Sequence, residues 1–211
     1  MQGIYLVTDQ KACKGKPLES IVSDAARAGV SCVQLREKHA STRLFMRKAL
    51  DLMSILEPAK IPLIINDRVD IAMAVKAAGV HLGQSDMPYE HARRLMGPGA
   101  IIGLSVETWE DVEKAQDLDV DYLGVSPIFS TPTKTDTKTP WGIDGHTKIK
   151  AYSRHPLVAI GGLDASNVQK IIKAGANAIA VVSAICSATD AFDATQQLVR
   201  LFEHSQQEKK S

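Results

Sequence analysis

The chain has 211 residues, 45% of them hydrophobic, which is enough to bury one sizeable core, and 1–211 reads as a single globular domain. With 25 basic against 24 acidic residues the formal net charge is +1, so no broad field draws the protein onto nucleic acid or a membrane surface, and any anion site must be local. Cys13, Cys32 and Cys186 have no paired metal spacing and suit packing in a reducing compartment, while the apolar run at 3–7 is too short for a signal peptide and no window approaches a membrane span, so a cytoplasmic location is expected.

Short apolar runs of strand character stand at 3–8, 30–35, 61–65, 80–82, 101–104, 121–125, 157–160 and 178–182. Between them lie stretches of helical period. Leu18, Ile21, Val22 and Ala25 share a face after Pro17, and Phe45, Met46, Ala49, Leu52 and Leu56 do so after Ser41, a candidate N-cap. Shorter helices are expected over 70–78, 88–96 and 108–118, and a weakly amphipathic one over 145–152. Asp164 is a candidate cap for a helix carrying Val168, Ile171 and Ile172; Phe192, Thr195, Leu198, Val199 and Phe202 mark the last helix, and 203–211 is a polar tail. Gly29, Gly79 and Gly175 each stand at an Ala-Gly join between a helix and an apolar run, where a left-handed glycine would stop the helix.

Strands that are apolar throughout and alternate with helices indicate a parallel sheet covered by helices, and eight such units in this length predict a (β/α)8 TIM barrel. A doubly wound open sheet is the alternative, disfavoured because Thr8-Asp9-Gln10-Lys11 replaces a glycine-rich dinucleotide fingerprint after the first strand. The segment 126–141, with three prolines and five threonines, is too long and too polar for a simple connection, and is expected to be a mobile active-site loop; a solvated linker is the rival reading.

In a barrel the reacting groups sit where strands end. Those positions hold Gln34-Leu35-Arg36-Glu37-Lys38, Asn66-Asp67-Arg68, Gln84 to Asp86, Ser105 to Glu107, Gly161-Gly162, and Ser183. The glycine pair with Ser183 suits a phosphate held by backbone N–H groups, or else only a tight turn. Asp67 and Asp86 close successive strands and could share a Mg2+ ion, which takes one or two carboxylates plus phosphate oxygens; an ion pair of Asp67 with Arg68 and a helix cap by Asp86 are the plain alternatives. Arg36 and Lys38 share a strand face and could surround an anionic group, or form a solvated cluster with Glu37. His39, His81, His91, His146, His155 and His204 form no Cys/His or Ser/His spacing; His81 reads as structural and most of the others as surface or loop residues.

The ordered set Tyr5-Leu6-Val7-Thr8-Asp9, Gln34 to Lys38, Ile65 to Asp70, Gly79 to Gln84, the 121–134 stretch, Ala159 to Gly162 and Val182 to Ile185 resembles thiamine-phosphate synthase, from residue 5 to about 186. The resemblance implies a (β/α)8 barrel that uses Mg2+ to join hydroxymethylpyrimidine diphosphate to thiazole phosphate, or its carboxylated form, releasing pyrophosphate by a dissociative route. It implies two small phosphorylated heterocyclic partners, no nucleic acid or membrane partner, and a possible homo-oligomer. Gln34, Leu35, Arg36, Glu37, Lys38, Asn66, Ser105 and Lys134 would hold the pyrimidine diphosphate, with Arg36, Lys38, Ser105 and Lys134 in catalytic roles. Asp67 and Asp86 would bind the metal; Thr131, Pro132, Thr133, Gly162, Val182 and Ser183 would hold the thiazole phosphate. Glu107 stands where many relatives carry histidine, and together with the Arg36/Lys38 pair, Asp67 and Lys134 it favours the synthase over a related thiazole tautomerase. A non-catalytic phosphate-ligand sensor is the competing reading of another class.

Overall fold

Each apolar run becomes a strand, each strand pairs in parallel with the next, and the last pairs with the first, closing an eight-stranded barrel. The structure is a computed structural model that describes residues 1–131 and 138–208. Its strands are β1 (Gly3–Val7), β2 (Cys32–Leu35), β3 (Leu63–Asn66), β4 (Gly79–Leu82), β5 (Ile101–Val106), β6 (Tyr122–Val125), β7 (Leu157–Ile160) and β8 (Ala178–Val181). The helices are α1 (Leu18–Arg27), α2 (Thr42–Leu56), α3 (Val69–Val75), α4 (Tyr89–Met96), α5 (Trp109–Ala115), α6 (Gly142–Tyr152), α7 (Val168–Lys173), α8 (Ser183–Cys186) and α9 (Ala191–Glu208). The (β/α)8 expectation holds, and the closed sheet rules out the doubly wound alternative.

Strands covered on both faces must be apolar on both, and here the faces feed two separate cores. Outward residues such as Ile4, Leu6, Val33 and Leu35 meet the helical stripes, including Leu18, Ile21 and Val22 of α1 and Phe45, Ala49 and Leu52 of α2. Inward residues Tyr5, Val7, Cys32, Ile64, Tyr122, Val158, Ala178 and Ala180 fill the lumen as a second cluster. Fully burying an aliphatic side chain contributes about 1.5–3 kcal/mol, so the outer layer holds the fold and the lumen has room for polar groups.

Helix ends follow the sequence in part. Ser41 caps α2, its Oγ accepting from Leu44 N at 3.3 Å, and Thr108 with Asp111 forms a reciprocal capping box on α5. Asp164 does not cap α7, which starts later at Val168; its carboxylate instead accepts from Ser166 N at 2.8 Å and shapes the preceding turn. Gly79 is not a helix stop either. Lys76, at φ 56°, ends α3, whereas Gly79 lies inside β4, where a Cβ would stand 1.9 Å from the carbonyl oxygen of Ile101. His146 and His155 are buried, not surface residues, at 0% and 7% exposure. Among the described residues no helix is long and apolar enough to cross a membrane.

Candidate active site

At the C-terminal ends of the strands a cavity of about 930 Å3 opens. Its wall includes Gln34, Arg36, Lys38, Asn66, Asp67, Asp86, Ser105, Thr131, Gly162, Val182 and Ser183, so the fold brings these predicted residues to one mouth. Two predicted neighbours are not brought in. Leu35 is fully buried in the outer core, and the Glu37 carboxylate accepts from Lys48 Nζ of α2 at 2.5 Å, because alternate residues of a strand face opposite ways. Pro132, Thr133 and Lys134 lie outside the described residues.

One side of the mouth is built from charges. The Arg36 backbone N–H donates to Thr8 Oγ1 at 3.1 Å and its guanidinium to Asp9 Oδ2 at 3.2 Å, which braces the cation against the end of β1. Lys38 Nζ reaches Asp67 Oδ2 at 2.6 Å, while Arg68 pairs with Asp70; the alternative of an Asp67–Arg68 pair is therefore not realised. Asp67 adopts φ 62°, a left-handed conformation held by its N–H donating to the His81 carbonyl at 2.8 Å. A non-glycine residue held there costs on the order of 1–3 kcal/mol, and such strain clusters at functional sites.

Asp86 does not cap the helix after Pro88; its Oδ2 accepts from Gly83 N at 2.7 Å. Its carboxyl is raised above the ordinary carboxylate value, first by partial burial and then by the neighbouring Asp67 carboxyl. Two neighbouring carboxyl groups are a poor arrangement for ionised oxygens and a good one for a divalent cation between them. Hard oxygen donors of this kind fit Mg2+, which commonly takes two carboxylates and completes its shell with water and phosphate oxygens. Among the described residues no group of three or more His, Cys, Asp or Glu forms a cage for a metal ion, so further ligands to a cation held by this pair would come from outside such a cage.

The opposite side is built from backbone. Ile128 N donates to Ile160 O and Phe129 N to Gly161 O, so the chain beyond β6 continues alongside the end of β7. That approach explains the glycine pair: a Cβ on Gly161 would meet Pro127 at 2.8 Å, one on Gly162 would meet Ser130 O at 2.7 Å, and both residues have positive φ. The glycines thus have a packing reason as well as a place on the cavity wall. Gly162 and Ser183 lie there with Val181, Val182 and Ala184, offering backbone groups, and Asp164 lines the cavity beside the glycine pair. The base of the predicted loop is anchored, since Ser126 and Ile128 are buried and Trp141 Nε1 donates to Ser126 O at 3.2 Å; the mobility expected for 126–141 falls partly on residues outside those described.

The floor was missed in the sequence. Tyr5, His81 and Tyr122 line the cavity, with His81 Nε2 at 2.8 Å from Ser105 Oγ and His81 Nδ1 at 3.0 Å from Tyr122 OH. His81 is therefore a site residue and not merely structural, and a Ser/His contact exists that no sequence spacing reveals. Period two was the available signal: Tyr5 precedes inward Val7 and His81 follows inward Gly79. Glu107, Asp111 and Lys138 also line the wall.

The family model described as thiamine monophosphate synthase matches residues 4–185. The chain is 53% identical over 200 residues to the thiamine-phosphate synthase of Albidiferax ferrireducens, covering 95% of this chain and 91% of that one. It is 50% identical to that of Leptospira biflexa over 96% and 98% of the two chains. Among solved structures, a thiamine phosphate pyrophosphorylase from Pyrococcus furiosus superposes with a TM-score of 0.87 at 34% identity, covering 96% of each chain.

Proposed function

Because the chain belongs to the thiamine monophosphate synthase family, we propose that it is a transferase of thiamine biosynthesis that joins hydroxymethylpyrimidine diphosphate to thiazole phosphate, plain or carboxylated, and releases thiamine phosphate and pyrophosphate. The observation that carries the division of the site is its two-sided chemistry. Arg36, Lys38 and the neighbouring Asp67 and Asp86 carboxyls stand on one side of the mouth, and the backbone of Gly162 and Ser183 on the other.

The charged side suits the diphosphate. Arg36 is held in place by Asp9, so its guanidinium can clamp phosphate oxygens without first being ordered. Lys38 would exchange Asp67 for the diphosphate as the carboxylate turns to a cation. Mg2+ held by Asp67 and Asp86 would neutralise the charge that develops on the departing pyrophosphate. Gln34, Asn66 and Ser105 stand deeper in the same cavity, where a pyrimidine ring would lie, and Lys134 would act from the loop. Thr131 with Thr133, Gly162, Val182 and Ser183 would hold the thiazole phosphate, using the N–H groups that open α8.

The Ser105/His81 contact raises a second possibility, an activated serine. His81 Nδ1 meets the Tyr122 phenol, at the position where hydrolytic triads place a carboxylate. A dissociative route needs no such base: the chain aligns two substrates, stabilises the leaving group and keeps water from the cation.

Incubating the pure protein with both substrates and Mg2+ should yield thiamine phosphate and pyrophosphate in equal amounts. Formation of neither rejects the assignment. Calorimetric binding of the substrates without turnover would favour a sensor, and isomerisation of the thiazole carboxylate without metal would favour a tautomerase.

A further inference from the structure

The lumen holds an unbroken line of polar atoms beneath the cavity. Gln34 Nε2 donates to Tyr5 OH at 2.8 Å, Tyr5 OH meets Tyr122 OH at 3.0 Å, Tyr122 OH meets His81 Nδ1 at 3.0 Å, and His81 Nε2 meets Ser105 Oγ at 2.8 Å. The line crosses from β2 through β1, β6 and β4 to β5. The barrel is shaped around it. A Cβ on Gly103 would stand 2.1 Å from the Tyr122 ring and one on Gly124 2.9 Å from the His81 ring, so both neighbours are glycine. The His81 and Tyr122 rings stack at 5.5 Å, and Tyr5 meets Tyr122 edge-on at 6.0 Å.

Counting hydrogens gives the line a direction. A phenol has one hydrogen to give. Tyr5 receives from the Gln34 amide nitrogen, and its own hydrogen goes to Tyr122, since the other neighbour, the Cys32 thiol, is a weak acceptor. Tyr122 then gives its hydrogen to His81 Nδ1. That leaves the neutral imidazole with its hydrogen on Nε2, donated to Ser105 Oγ. With the Gln34 amide nitrogen facing Tyr5, the opposite direction would leave the hydrogen of Tyr5, a residue 1% exposed, with only the thiol to accept it; reversing the line requires the amide to turn its oxygen inward.

We propose that Tyr5, Tyr122 and His81 are positioning residues: a one-way hydrogen-bond relay that fixes the His81 tautomer and turns the Ser105 hydroxyl hydrogen toward the cavity, as a donor to an acceptor atom of the substrate. This rests on the transferase reading only for what Ser105 touches. The relay itself is a property of the lumen.

The test is histidine ring 15N NMR on the full-length protein, with His81→Gln used to assign the His81 signals. The relay predicts one tautomer, with hydrogen on Nε2 and none on Nδ1. Tyr122→Phe keeps the ring and removes the link. It should give a mixture of tautomers and lower kcat about tenfold, one hydrogen bond's worth, with KM for the thiazole phosphate changed less than about twofold. Hydrogen on Nδ1 in the wild type would overturn the proposal, as would a Tyr122→Phe protein with unchanged His81 signals. If Tyr122→Phe does not fold, the wild-type tautomer decides. A wild type with no condensing activity but the predicted tautomer would refute the transferase reading and leave the relay standing.

Discussion

Asp67 concentrates several demands on one residue: a left-handed backbone, a salt bridge to Lys38 and a neighbouring carboxyl in Asp86. None of these is needed by the core, because Asp67 stands on the cavity wall. Asp67→Asn, which tolerates the left-handed backbone, should therefore lower kcat by about 10²–10³-fold, the scale of losing a transition-state charge partner, with the melting temperature nearly unchanged. Near-normal turnover at saturating Mg2+ would remove Asp67 from the metal site. Tyr5 and Tyr122 carry the clearest pH signature. Burial pushes both phenols well above their ordinary value of 10.0. For groups raised by folding, stability is fully present below the unfolded value and is lost as pH climbs above it, so the chain should weaken in alkali above about pH 10. Phenolate absorbance from these two residues should then rise only together with unfolding, and its appearance in the still-folded protein would show the lumen to be wet. Their chemistry was open to reading by strand alternation, yet a tyrosine in an apolar run reads first as packing, and only the register across five strands brings its hydroxyl to His81.

At the scale of elements, strands were legible because burial on both faces leaves an unbroken apolar run, while helix ends were less so because local polar residues have several uses. Asp164 carries the composition of a cap but serves the turn before α7, and the Ala-Gly join before β4 marks a close strand crossing where β4 meets β5. The join of β7 to the segment after β6 is the element that organises the phosphate side. Gly162, at φ 64° with no space for a Cβ, keeps that segment against the wall. Gly162→Ala should destabilise the protein by about 1–3 kcal/mol and also raise KM for thiazole phosphate, read from a melt and from initial rates. A change in KM with an unaltered melt would mean that the glycine serves the ligand and not the packing. The tip of the same segment, with Lys134, stands outside the described residues.

For the whole molecule, the barrel follows from counting eight apolar runs, and its mouth follows from the rule that strand ends carry chemistry. The charged residues at those ends were therefore readable before their geometry was known: Arg36, Lys38, Asp67 and Asp86 do meet at one cavity. What the sequence concealed was depth. Whether a polar residue lies on the rim, on the floor or outside, as Glu37 does on Lys48, depends on barrel closure and side-chain alternation together. A near-neutral chain thus gathers Arg36, Lys38, Asp67 and Asp86 at one part of the mouth and the glycine pair with Ser183 at another, and the proposed division of two phosphate esters rests on that grouping. The most direct measurement of this account is a crystal structure with Mg2+ and pyrophosphate bound. The account predicts one ion touching both Asp67 and Asp86, with Lys38 moved from Asp67 to a phosphate oxygen and Arg36 still braced by Asp9. Pyrophosphate lying against Gly162 and Ser183, with the Lys38–Asp67 pair intact, would contradict it.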